Sequence, residues 1–306
     1  MTKPFLCVPS QGEPIGADLC RTIQSYGWRG IRIDYPEDHS KARAMLEDVR
    51  NVPELQVILL LAGGKMTRSD GKPWDANAIA DHVRDCCTKM FDLGLFDMEH
   101  PPWLEVGNEP DLAHKRWSDH PDRMAAAFHA AYWEAQSFGR RMTVLTPAVS
   151  NLNKRGIEYL GEMFASTVPS GAHLAFHRYP HRGVPTLKHD GFKSRDDEVE
   201  TALRIANKSM GRGSRSFHVT EVGYSNFEYG GQWKPDAYVA DVLESEYRYW
   251  SRLGADSMSW FQINTAPVGA NDSDHVRKEK SFGVRDHLGN WKPELAACSR
   301  TIGGVT

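Results

Sequence analysis

The stretch Trp103-Leu104-Glu105-Val106-Gly107-Asn108-Glu109-Pro110 decides the reading of this chain. Trp103 to Asn108 reads as an apolar strand, and Pro110 carries no backbone N–H, so strand pairing must stop just before it. A carboxamide and a carboxylate, Asn108 and Glu109, are thereby left at the rim of a sheet.

Working outward, strand-like runs recur at Phe5 to Val8, Gly30 to Asp34, Gln56 to Leu61, Met142 to Thr146, His173 to Tyr179, Phe217 to Glu221 and Ser257 to Gln262. Amphipathic stretches lie between them: Ile15 to Tyr26, Lys41 to Val49, Asn77 to Leu93, Pro121 to Phe138, Ile157 to Phe164, Asp196 to Met210, Pro235 to Leu253 and Pro293 to Ile302. Eight strand–helix alternations without a composition shift predict a single (β/α)8 TIM barrel spanning residues 1–306 as one domain. Gly27, Gly94, Gly139, Gly211 and Gly254 fall just past predicted helices, and Pro121, Pro235 and Pro293 near helix starts, as helix ends require. An open nucleotide-binding sheet is disfavoured, because Val8-Pro9-Ser10-Gln11-Gly12 lacks the glycines of a phosphate cradle.

The formal charge of -3 and the absence of a long basic run argue against a nucleic-acid partner. No stretch approaches the ~20 apolar residues of a membrane span, so no membrane partner is expected. The N-terminus passes directly into a strand-like run without a signal peptide, which fits a cytoplasmic protein or a secreted one whose signal has been removed. The 5 cysteines, Cys7, Cys20, Cys86, Cys87 and Cys298, form neither a metal-binding spacing nor a disulfide framework, and they read as structural thiols.

A second strand-end carboxylate, Glu221, lies in Phe217-His218-Val219-Thr220-Glu221-Val222-Gly223-Tyr224. Two glutamates on two strand ends are the raw material for glycosidic bond cleavage: one protonates the leaving oxygen while the other attacks the sugar or activates water. Alternation along a strand sends Arg32 and Asp34 into the barrel, with His173, His177 and Tyr179. Glu105 also faces inward, and buried charges must be paired, so Glu105 and Arg32 are expected to form a structural ion pair in the barrel floor.

Taken in order, Asn-Glu-Pro at the fourth strand end, His-x-Tyr at the sixth, a Glu at the seventh and a Trp at the eighth resemble the clan of retaining glycoside hydrolases built on a (β/α)8 barrel. The resemblance implies Glu109 as general acid/base and Glu221 as nucleophile, with no cofactor and no metal. It further implies that Asn108 binds the sugar 2-hydroxyl, that Arg32 and Tyr179 steady the nucleophile, and that Trp260 lines the non-reducing subsite. His177 joins this set. One departure concerns the third strand, where several families of the clan place a histidine and this chain reads Leu61-Ala62-Gly63-Gly64-Lys65-Met66.

Such a mechanism needs Glu109 protonated, its pKa raised by partial burial and neighbouring negative charge, while Glu221 stays ionised. Tyr224, Trp233 and Trp117, with Phe227 and Tyr229, offer flat rings at the barrel mouth for sugar stacking. The basic residues His181, Arg182, Lys188, His189 and Lys193 after the sixth strand fit either a rim that favours an acidic glycan or an ordinary solvated surface. The expected function is thus a retaining β-glycosidase acting on an oligo- or polysaccharide, in one form an endo-acting polysaccharide hydrolase, and working as a monomer. The alternatives are a sugar-binding barrel without catalysis and a metal-dependent barrel hydrolase using His177, His181 and Asp34.

Overall fold

The computed structural model describes residues 2–8, 15–61, 74–115, 117–139, 142–166, 168–180, 184, 186–210, 216–228, 231–269 and 271–304. The eight strands are β1 (Lys3–Val8), β2 (Gly30–Asp34), β3 (Gln56–Leu61), β4 (Trp103–Val106), β5 (Val144–Leu145), β6 (Leu174–His177), β7 (Phe217–Val222) and β8 (Ser257–Trp260). All pair in parallel, in the order β5-β4-β3-β2-β1-β8-β7-β6. Parallel bridges from Leu145 to His173 and from Val149 to Phe176 join β5 to β6 and bring the sheet round into a barrel. This is the α/β barrel that the alternation of elements predicts.

Helices α1 (Ala17–Ser25), α2 (His39–Arg50), α3 (Ala76–Asp92), α4 (Pro121–Ser137), α5 (Lys154–Ala165), α6 (Arg195–Met210), α7 (Asp236–Leu253) and α8 (Pro293–Gly303) follow the strands in turn. Three of these starts are capped by short polar side chains: Asp38 at α2 accepts from the N–H groups of Ser40 and Lys41, Asp75 at α3 from Ala78 and Asn153 at α5 from Gly156. Each cap satisfies amide donors that the helix itself leaves unpaired. Gly254 closes α7 with a left-handed φ of 80°. Gly211 lies outside the described residues.

β5 is shorter than the sequence suggests. Pro147 follows Thr146 and cannot donate to a ladder. The Thr146 hydroxyl stands in for a ladder acceptor instead, taking the N–H of Ala175 at 3.0 Å.

Strand parity sorts the barrel into two layers. Leu6, Ile31, Leu59, Leu104, Phe176, Val219 and Met258 face the helices in one continuous apolar core. Phe5, Ile58, Leu145, Ala148 and Ala175 fill the barrel interior, with Trp103 packed against them. Above this apolar plug the inward positions turn polar, and there the site begins. None of the described helices is long and apolar enough to cross a membrane.

Candidate active site

β4 ends at Val106, and the next three residues set the acid in place. Gly107 takes φ 90°, a left-handed geometry, and a Cβ there would press to 3.1 Å from the Met124 side chain. Asn108 forms a parallel bridge with Ala148, and the Glu109 N–H donates to the Ala148 carbonyl at 2.8 Å. Glu109 itself has φ 49°, a conformation that costs a non-glycine residue about 1–2 kcal/mol. The chain turns sharply here and aims both polar side chains at the barrel axis.

Arg32 is the hub beneath them. Its Nε and Nη2 donate to the two Glu105 oxygens at 2.5 and 3.1 Å. Its Nη1 donates to Glu221 Oε1 at 2.6 Å, and Nη2 also reaches Asn108 Oδ1 at 2.8 Å. The ion pair expected in the barrel floor is present, and Arg32 extends it to the second glutamate and the carboxamide. Burial pushes the guanidinium pKa down, but Glu105 and Glu221 outweigh burial and hold it well above its ordinary value. Thr220 Oγ1 adds a donor to Glu105 at 3.0 Å, and the Cys7 thiol donates to the Thr220 carbonyl just below. Burial keeps that thiol protonated.

Glu221 lies at the end of β7, and Tyr179 just past the end of β6 donates its phenol to Glu221 Oε2 at 2.6 Å. Burial and the Glu221 charge push the phenol well above its ordinary pKa, so it remains a donor. Both Glu221 oxygens therefore accept a strong hydrogen bond.

His177 completes the cluster. A register shift between Phe176 and His177 sets His177 beside Glu221 on β7. Its Nδ1 lies 3.1 Å from Glu109 Oε1 and 3.5 Å from Glu221 Oε2, and its Nε2 lies 3.9 Å from Glu105 Oε1. Burial opposes the imidazolium, but the Glu221 charge and the hydrogen bond and charge of Glu109 outweigh it and raise the pKa above 6.5. Burial likewise pushes Glu109 up, but the hydrogen bond and charge of His177, with Lys115 and Arg32, bring its pKa below 4.5. This reverses the direction expected from sequence, because the imidazole competes with the carboxyl for one proton.

Two site residues carried no signal in the sequence. Lys115 sits close enough to feel the charges of Glu109 and Glu221, and its amine is lowered by burial. Asp111 accepts from Ser150 through both the backbone N–H and the hydroxyl at 2.7 Å, which ties the loop after β4 to the loop after β5.

The aromatic residues are placed less as expected. Trp260 pairs in register with Leu6, shares its helix-facing side and is wholly buried in the outer core, so it does not line the site. The next residue, Phe261, turns inward, with its ring 6.3 Å from Tyr179 and 5.5 Å from Phe282. Phe282 stands 6.0 Å from the same Tyr179 ring. Tyr224 is also buried, packed at 5.6 Å against Tyr238 of α7, and is not an open platform. Trp117 is half-buried against the core, and its carbonyl accepts the Tyr159 hydroxyl. Only Trp233 among these presents an open ring, at 56% exposure.

The basic loop after β6 is partly drawn inward. His189 is buried, with its N–H and Nδ1 both on Glu198, which also pairs with Arg178. His181, Arg182, Tyr229 and the segment Ala62-Gly63-Gly64-Lys65-Met66 lie outside the described residues.

No protein-family model matches the chain, and no curated protein matches it in sequence. Solved structures do match it. A monomeric β-xylosidase from Caulobacter crescentus superposes with a TM-score of 0.65 at 16% identity, over 98% of this chain and 67% of that one. The chain has the fold of the glycoside hydrolase barrels. A GH5_18 enzyme from Bifidobacterium longum subsp. longum, in complex with Manβ1-4GlcNAc, matches with a TM-score of 0.65 at 18% identity, over 99% of this chain and 78% of that one. An exo-β-1,4-mannosidase from an Opitutaceae bacterium matches with a TM-score of 0.65 at 15% identity, over 100% and 60%. A GH39 enzyme from Xanthomonas axonopodis pv. citri matches with a TM-score of 0.67 at 13% identity, over 98% of this chain and 66% of that one, so this chain spans about two thirds of that chain's length.

Proposed function

We propose that the protein is a retaining β-glycoside hydrolase in which Glu221 is the nucleophile and Glu109 the general acid/base. The observation that carries this reading is their spacing. Glu109, His177 and Glu221 each present an atom within 4.8 Å of the other two. Carboxyl oxygens that close favour direct attack by one of them, for which the carboxyls stand about 5–5.5 Å apart, over the wider spacing of about 6.5–9.5 Å that inversion uses.

Glu221, fixed by Arg32 and Tyr179, attacks the anomeric carbon. The bond to the leaving oxygen breaks as Glu109 protonates it, and a glycosyl ester forms on Glu221. Water then attacks the same carbon, gives its proton to Glu109, and returns Glu221 as a carboxylate. In the resting site the Glu109–His177 pair holds the proton on the imidazole. Of the influences that raise the imidazole pKa, the Glu221 charge is the largest. Esterification removes that charge, so the proton passes to Glu109 as the nucleophile reacts.

Both Glu221 oxygens already accept a hydrogen bond, one from Arg32 and one from Tyr179, which favours Glu221 as a nucleophile over Glu221 as a metal ligand. The β-xylosidase with the same fold is monomeric, which supports a monomer as the working unit. Proton NMR of the first product tests the reading: retention gives the β-anomer first, and initial release of the α-anomer from a β-glycoside would contradict it.

A further inference from the structure

A cavity of about 420 Å³ opens between the loops that follow β7 and β8, lined among others by Asn226, Trp233, Asp236, Lys280, Ser281 and Lys292. Its volume falls in the range of small-molecule sites. Trp233 stands at its edge on a two-stranded antiparallel hairpin, Phe227–Glu228 with Gln232–Trp233. Its ring leans edge-on against buried Phe227 at 5.1 Å, which fixes it while leaving it 56% exposed.

The polar lining is built rather than incidental. Lys292 donates to Asn226 Oδ1 at 2.7 Å and lies 3.3 Å from Asp236. Asn226 Nδ2 donates to Asp236 Oδ1 at 2.8 Å and to the Lys234 carbonyl at 3.0 Å. Burial lowers the Lys292 amine pKa. Lys280 pairs with Asp272 at 2.9 Å. The charges of Lys280 and Lys292 are thus matched by carboxylates, and what the wall offers is a row of hydrogen-bonding edges beside a flat ring.

One backbone step links the cavity lining to the catalytic cluster. Ser281 accepts the Asn226 N–H at 3.1 Å, and the next residue, Phe282, packs on the Tyr179 that holds Glu221.

We propose that this cavity is a subsite for a neutral pyranose unit, stacked on Trp233 and hydrogen-bonded by Asn226, Asp236 and Lys292, in the same glycan whose bond is cut at Glu109 and Glu221. Flat aromatic faces with polar edges are the chemistry that holds a sugar ring. The inference rests on the glycosidase reading and adds to it a chain-length requirement.

Calorimetry on the Glu221→Gln protein, with neutral β-1,4-linked xylo-, manno- and gluco-oligosaccharides of two to six units, tests it. Trp233→Ala in that background is expected to weaken the longest bound oligosaccharide at least tenfold, and the disaccharide far less. Lys292→Met should show the same length dependence. An equal loss at every length, no loss, no binding of any neutral oligosaccharide, or tighter binding of oligouronates would overturn it. Product release from the same oligosaccharides by the unmodified protein tests the glycosidase reading separately. Length-dependent binding without products would uphold the subsite and reject catalysis, and products without length dependence would do the reverse.

Discussion

His177 Nδ1 lies 3.1 Å from Glu109 Oε1, so the charge of each group acts directly on the proton of the other. The carboxyl is held below its ordinary value and the imidazole above its own, because each charge stabilises the other inside a buried cluster. In the proposed mechanism the general acid is this pair, whose carboxyl is shifted down and whose imidazole is shifted up.

Removing the imidazole should show this in the pH profile. The pair keeps its proton up to a pH above the ordinary 6.5 of imidazole, and activity that needs an acid is lost as pH rises past that point. In His177→Gln, Glu109 alone must hold the proton, starting from 4.5 and raised by burial. The alkaline limb of kcat/KM is expected to move to lower pH. An unmoved limb, or one shifted upward, would show that Glu109 titrates independently of His177.

Glu105 is scaffolding, by contrast. It is wholly buried and accepts from Arg32 and Thr220. Glu105→Gln takes away one partner of a buried ion pair, which costs about 3–5 kcal/mol. Urea unfolding should show a loss of that size, and a loss under about 1 kcal/mol would mean that Glu221 alone suffices to satisfy Arg32.

Trp260 and Phe261 are neighbours with different work. Trp260→Ala should empty a core position and cost about 3–5 kcal/mol in stability, read by urea unfolding. Phe261→Ala should instead lower kcat/KM, because its ring supports Tyr179 and faces the site. A variant at Trp260 that stays stable and loses substrate binding would reverse this assignment.

The barrel was legible because its signals are local. Gln56 to Leu61 and Gly30 to Asp34 are strands with the bounds their apolar runs predict, and α4 begins at Pro121 and α6 ends at Met210 as their helical patterns indicate. The inward set Arg32, Glu105, His177 and Tyr179 follows from strand alternation, which also carries Trp260 to the helix-facing side once Ser257 and Ser259 are seen to face inward with Phe5. What was not legible depends on backbone geometry and on distant pairs. The left-handed turn at Gly107 and Glu109 has no signature beyond the glycine and Pro110. The pKa direction of Glu109 depends on a histidine 68 positions away in the chain. Lys115 and Asp111 lie in an irregular loop whose path nothing in its composition sets. Tyr224 looked like an open ring because its partner, Tyr238, belongs to the following helix.

The central claim is that Glu221 forms a covalent bond to the sugar. A 2-deoxy-2-fluoro glycoside with a good leaving group slows the second step and accumulates that ester. Peptide mass spectrometry after incubation is predicted to find the added sugar on the peptide containing Glu221, at Glu221 itself. A label on Glu109, or steady hydrolysis of the corresponding natural glycoside by protein that the fluorosugar never labels, would contradict the account.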